Sequence, residues 1–467
     1  MRSALARSER EFSWVEGLVY GMAAAGIQVA SEVIHQWGAY FYSPSQGTGR
    51  TIYVAVSAVG TIFFVGMLFD AVTDPLVGMW SDRTSTRPGR WRIIGIAGRR
   101  RPFMFWGSIL MAITGIAFWY PPVDGLSHAN FFYGMTVICL HWLFFTTCMV
   151  PLNSLGPEIA RSREARVKLG SCYSAGMMLG ITFTAILPGI MIDALDPARH
   201  VAPPGYSDLG YQRTAIIFAL FALLLIQVPT WVLRERYQPS QTETRMPPFG
   251  QLVAALKNRA FIMWITATIC FNIGFLAVQK ILPYWAEVGL GGDETTVALL
   301  MGPFVGAALL ALPLMPVLSK RVLNKWLWFS AVALMTLMMP ALYVIAVLPC
   351  SATAKLVLAV IAFSLVGIGQ GALFMLYTPL MGEIIDLDER RTGERREGVY
   401  CGLSGISWKS GQALSVYLAT IPMDIWGNSM ESPMGVLLVG PLAALFGLVA
   451  LSIVWFYPVL QDDRDAS

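Results

Sequence analysis

Two carboxylates four residues apart in an apolar run, Asp70 and Asp74 of Phe69-Asp-Ala-Val-Thr-Asp74-Pro75, are the side chains best placed to do chemistry. On a helix they project from one face about one turn apart. Two ionised carboxylates that close, in a low-dielectric setting, repel unless a cation or a proton comes between them. Pro75 has no N–H, which frees a backbone carbonyl one turn earlier, and hard cations favour oxygen ligands. The pair reads as a site for Na⁺ or H⁺. The competing reading is a carboxylate pair near a helix end that bridges to loop arginines.

The second chemical feature is Lys409, in the middle of the apolar run 401–421. A charge there costs roughly 2.5–3.5 kcal/mol to insert at a helix centre, so something must offset it. Three readings are open: pairing with an acid across a cavity, contact with an anionic or polar substrate, or a snorkelling structural charge. The mid-run position disfavours the third. Lys280, the other lysine inside an apolar run, lies towards one end beside Pro283-Tyr284-Trp285 and is expected to be an interfacial anchor. Glu32 and His35, nearly one turn apart, form either a proton site or a hydrogen-bonded pair. His141, one turn from Phe145, lines a cavity or serves as an interhelical donor.

Membrane-crossing helices must position these residues. The 467 residues are 55% hydrophobic and only 13% charged, with mean hydropathy +0.58, which excludes a water-soluble surface. A span needs about 20 apolar residues. Twelve such runs are expected, near 12–41, 51–80, 102–122, 129–151, 169–192, 213–233, 259–286, 295–318, 325–348, 354–381, 398–422 and 434–457. Arginines and lysines crowd alternate connections, among them the run from Arg83 to Arg101, then Arg161 to Lys168, then Arg390 to Arg396. The positive-inside rule then puts both termini in the cytoplasm. The first apolar run is too long for a signal-peptide core and is expected to be retained. The net charge of +4 comes from loops facing anionic lipid, so no nucleic-acid partner is implied. The six cysteines have no metal-ligand spacing and read as packing residues. No His-metal cluster, Ser-His-Asp set or phosphate-cradling glycine loop appears, so an enzyme is not expected and no cofactor is called for.

The longest loop, 234–258, carries Pro239, Pro247 and Pro248 and divides the spans six and six. The expected domains are a six-helix bundle over 1–233, the cytoplasmic loop 234–258, and a second bundle over 259–467, the arrangement of an internal repeat.

Gly78-Met-Trp-Ser-Asp82-Arg83 followed by Gly98-Arg-Arg-Arg-Pro-Phe103 resembles the loop signature of the major facilitator superfamily. More narrowly, Asp70-Ala-Val-Thr-Asp74-Pro75-Leu-Val-Gly78 and Gly382-Glu383-Ile-Ile-Asp386, running on to Gly393-Glu-Arg395-Arg396 and Lys409, resemble the glycoside-pentoside-hexuronide:cation symporters. That branch includes melibiose permease and the sodium-coupled lysophospholipid symporters. The resemblance implies an all-α membrane protein of twelve transmembrane helices, the major facilitator fold, in the plasma (inner) membrane. It also implies a cation site at Asp70, Asp74 and Thr146, with Na⁺ as one candidate ion, and a central-cavity role for Lys409. The charges that grip galactosides in melibiose permease are missing, since Ile27, Gln28, Met149, Asn153 and Ser174 stand at those positions. A sugar would rely on Gln28, Asn153 and Ser174, with Phe374 as a platform and His141 nearby. For each neutral residue, helix-to-helix hydrogen bonding is the alternative.

Asp82, Arg83, Glu158, Arg166, Glu383, Asp386, Arg395 and Arg396 fall at the cytoplasmic ends of spans, where opposite charges can latch an inward mouth. The family's arginine segment is stretched here, from Arg87 to Phe103. The expected function is cation-coupled symport, with Na⁺ or H⁺, of a sugar, glycoside, uronide or related solute by alternating access. The expected partners are the solute, a monovalent cation and the lipid bilayer, with the protein acting as a monomer. The alternatives are a sodium-coupled carrier of lysophospholipids or other amphiphiles, which Lys409 would suit through a phosphate, and an uncoupled channel or scramblase.

Overall fold

A computed structural model describes residues 13–83, 98, 100–160, 163–203, 205–233, 235, 255–393 and 397–458. Apolar runs become helices because lipid offers no partner for backbone N–H and C=O groups. In chain order these are α1 (Trp14–Tyr42), α2 (Val56–Arg83), α3 (Arg101–Ala117), α4 (His128–Ile159), α5 (Arg163–Leu195) and α6 (Leu209–Val232). Then come α7 (Arg259–Leu290), α8 (Glu294–Ala311), α9 (Asn324–Val347), α10 (Ala352–Thr392), α11 (Glu397–Trp426) and α12 (Met434–Trp455). Local chemistry fixes several starts. Ser127, Asn258 and Ser351 accept first-turn N–H groups, and Asp293 forms a capping box with Thr296. Gly291 and Gly393 end α7 and α10 with positive φ, where a side chain would be strained.

Among the described residues, ten helices are long and apolar enough to cross a membrane, and α3 is a shorter apolar helix of 17 residues. The eleventh expected span, α11, is 30 residues long but too polar along its length to join the ten. Prolines move other boundaries. The eighth span stops at Ala311, ahead of Pro313 and Pro316, and Met315–Leu318 forms a separate turn. The ninth span is interrupted at Pro340. In contrast, α10 continues as helix through its polar end to Thr392, well past the expected limit near 381.

The chain forms two compact units: Met1–Phe41 with Val65–Gln241, and Tyr42–Phe64 with Thr242–Ser467. In the first, a Cβ at Gly176 would fall on the carbonyl of Gly21, so α1 and α5 pack backbone to backbone. Such close approach drives helix association where lipid is as apolar as leucine. Met104, Cys148, Leu152 and Leu155 form the core between α3 and α4.

In the second unit, Gly367 and Gly371 of α10 lie against the carbonyls of Phe304 and Ala308 of α8. Phe261, Trp264, Ile384 and Tyr400 form its core. The segment 42–64 is held there by named contacts. Tyr284 Oη donates to the Ser43 carbonyl at 2.8 Å, and Asn428 Nδ2 donates to the Pro44 carbonyl at 3.5 Å. Arg50 Nη1 pairs with Glu294 Oε1 at 2.5 Å, with both side chains under a tenth exposed.

Candidate functional site

Asp70, Asp74 and Thr146, the residues expected to hold a cation, converge in the first unit. Leu68, Val72, Leu76 and Met79 form an exposed stripe of α2. Asp70 lies off that stripe and is 2% exposed, and Asp74 is half-buried. Thr146 of α4 is wholly buried, with its Oγ1 2.6 Å from Asp70 Oδ1 and 2.9 Å from Asp74 Oδ1. Thr73 Oγ1 donates to the Asp70 carbonyl at 3.1 Å, and Pro75 sits inside α2, leaving the Ala71 carbonyl without its usual donor.

A hydroxyl has one proton and two lone pairs. It cannot donate to both carboxylates at once. A proton on one carboxyl or a positive ion among the oxygens would satisfy the second short contact. Two carboxylates and a hydroxyl make an all-oxygen set, suited to Na⁺ or H⁺ rather than to a metal that prefers nitrogen or sulfur. Among the described residues, no group of three or more His, Cys, Asp and Glu side chains could hold a metal.

A second polar group lies on α1. Gln28 Nε2 donates to Glu32 Oε1 at 2.6 Å, and His35 Nδ1 is 4.0 Å from the same carboxylate oxygen. The His35 ring stacks on Trp142 of α4, with centroids 4.6 Å apart. Trp142 did not stand out in the sequence, although its position one turn before Thr146 was a usable signal. His141, 1% exposed, turns towards α3, where its Nδ1 is 3.4 Å from Thr114 Oγ1. Asn153 hydrogen-bonds the Tyr173 hydroxyl, and Ser174, the next residue on α5, is exposed.

The second unit carries Lys409, half-buried on α11, and Phe374 on α10, 38% exposed. Tyr377 Oη and Ser404 Oγ lie 2.6 Å apart and join α10 to α11. The expectation that Lys280 is an interfacial anchor is corrected. Lys280 is 8% exposed, and its Nζ donates to Ser415 Oγ of α11 at 3.0 Å, because the face of α7 that carries it packs on a neighbouring helix.

The residues expected to latch the cytoplasmic mouth make several contacts among the described residues. Glu158 pairs with Arg100 at 3.0 Å, and Glu235 accepts the backbone N–H groups of Arg100 and Arg101 at 2.8 Å each. Arg166 Nε donates to the Ala160 carbonyl at 3.2 Å. Glu383 accepts from Asn324 Nδ2 at 2.7 Å, and Asp386 is exposed. Burial, then the nearby Glu383 charge, pushes the Tyr457 phenol above its ordinary range, so it stays neutral. Asp82 and Arg83 end α2, with side chains outside the described residues; Arg395 and Arg396 lie outside them altogether.

The family described as MFS/sugar transport protein matches residues 19–461. The chain is 23% identical to the "Glucuronide carrier protein homolog" of Escherichia coli (strain K12), over 96% of this chain and 93% of that protein. It is 22% identical to the "Isoprimeverose transporter" of Lactiplantibacillus pentosus, over 86% of this chain and 78% of that one. Among solved structures, a bacterial homolog of the human lysosomal transporter Spinster aligns with a TM-score of 0.68 at 13% identity, covering 95% of this chain and 96% of that chain. At that identity the likeness shows the fold alone.

Proposed function

Because the chain belongs to the MFS/sugar transport protein family, and is a multi-pass membrane transporter rather than an enzyme, we propose that it couples uphill movement of a sugar or glycoside to Na⁺ or H⁺ entering at Asp70, Asp74 and Thr146. The observation that carries this reading is the single Thr146 hydroxyl within 2.9 Å of two buried or half-buried carboxylates, an oxygen cluster that suits a small cation or a proton. A neutralising ion lets the two carboxylates sit together. If the solute binds best to that neutralised arrangement, each ligand raises the other's affinity by the same factor. Gln28, Asn153 and Ser174 in the first unit offer donors and acceptors for a solute, and Lys409 in the second offers a positive charge. The relatives named for a glucuronide and for isoprimeverose support a glycoside-like class.

The test is solute accumulation in proteoliposomes under an imposed inward Na⁺ or pH gradient, with a panel of neutral glycosides and uronides. Wild type concentrates a solute only with the gradient, and Asp74→Asn equilibrates it without concentrating it. Normal accumulation by Asp74→Asn would remove the carboxylate pair from coupling.

A further inference from the structure

The cation ligands sit at a helix contact whose spacing is set one turn away. On α4, Ile138, Trp142 and Thr146 follow at four-residue intervals, and on α2 so do Gly66, Asp70 and Asp74; each series therefore shares a face. Thr146 meets the two carboxylates, and Gly66 meets the other two side chains. A Cβ built on Gly66 would stand 3.1 Å from Ile138 Cγ2 and 3.2 Å from Trp142 Cδ1. Those distances are tighter than ordinary van der Waals contact. A methyl group at Gly66 would make Ile138 or Trp142 give by a few tenths of an ångström, and interiors resist even one extra methyl group.

Trp142 is 2% exposed and fixed on several sides. His35 of α1 stacks on its ring, while Phe145 and His141 meet it edge-on at centroid distances of 5.2 and 5.6 Å. The indole therefore bears on α2 through Gly66 and on α1 through His35, the residue beside the Gln28 and Glu32 pair.

We propose that Trp142 is a positioning residue for the cation site: packed against Gly66, it holds α2 and α4 at the one separation where the Thr146 hydroxyl reaches both carboxylates, and it ties that separation to α1 through His35. The proposal rests on the cation reading above and goes beyond it by assigning the geometry to residues that touch no ion. A displacement of a few tenths of an ångström at Gly66 is passed one turn along to a contact of 2.6 Å, where hydrogen-bond and ligand geometry are steep.

The experiment is ion-dependent thermal stabilisation of purified protein in lipid nanodiscs, titrated with NaCl at pH 8 and, in sodium-free buffer, with pH. The apparent dissociation constant is taken for whichever ion stabilises wild type. Gly66→Ala is expected to raise it at least tenfold. Gly66→Ala with Ile138→Ala, which gives back the space the methyl takes, is expected within threefold of wild type. Trp142→Phe retains most of the affinity and Trp142→Ala loses at least tenfold. A purely structural role would lower the ion-free melting temperature and leave the ion constant alone. Should Trp142→Ala fail to fold, the Gly66 and Ile138 pair still decides. Gly66→Ala within twofold of wild type overturns the proposal while leaving the cation reading intact. Absence of stabilisation of wild type by either ion overturns both.

Discussion

Thr146→Val removes one hydroxyl and keeps the branched shape. In the structure that oxygen lies 2.6 Å from Asp70 and 2.9 Å from Asp74, in a side chain with no exposed surface. The proton serves one carboxylate whether or not an ion is bound, so its contribution cancels between the two states. The lone pairs differ, because they face a positive charge only in the bound state. Losing that contact, comparable to a hydrogen bond to a charged group, costs about 1.5–3 kcal/mol. At about 1.4 kcal/mol per factor of ten, cation affinity falls about 10- to 140-fold. Thr146→Ser keeps the hydroxyl and should stay near wild type. The assay is calorimetric titration of the ion into purified protein. A Thr146→Val protein that binds the ion as well as wild type would refute the reasoning. Tighter binding would show that the hydroxyl competes with the ion rather than holding it.

Two further outcomes follow from the second unit. Lys409→Ala should weaken solute binding at least tenfold while the melting temperature without solute moves little, and unchanged solute affinity in the same titration would take Lys409 out of the site. The Arg50 and Glu294 pair is buried, and breaking a buried pair by removing one partner costs about 3–5 kcal/mol, whereas replacing both with apolar residues is often close to neutral. Arg50→Met should therefore lower the melting temperature clearly, and Arg50→Met with Glu294→Met should recover at least half of that loss; equal losses in both would mean the pair contributes nothing through its charge.

The carboxylate pair was legible because four-residue spacing and an apolar setting are both properties of the chain itself. Thr146 was not legible that way. Nothing in its own run marks it, and it entered through resemblance to a symporter family. Lys280 shows the limit of hydropathy. In a bundle, the lipid-facing and core-facing sides of a helix are similarly apolar, so sequence does not say which side meets a neighbour; the hydrogen bond to Ser415 does. The Arg50 to Glu294 contact joins residues 244 positions apart in a loop and a helix start, which spacing alone cannot pair. The helix α10 outlasts its hydropathy because Leu387, Glu389, Arg390 and Arg391 are good helix formers that need no membrane, so the end of the apolar run and the end of the helix differ. Pro313 and Pro340 were visible, and their breaks followed the lost N–H.

Equilibrium binding of radioactive Na⁺ to the purified protein, paired with proton release on ion addition, addresses the central claim most directly. Wild type should bind one ion saturably or, in sodium-free buffer, titrate one proton across the same carboxylates, and Asp70→Asn with Asp74→Asn should do neither. Undiminished ion or proton binding in that double variant would contradict the account.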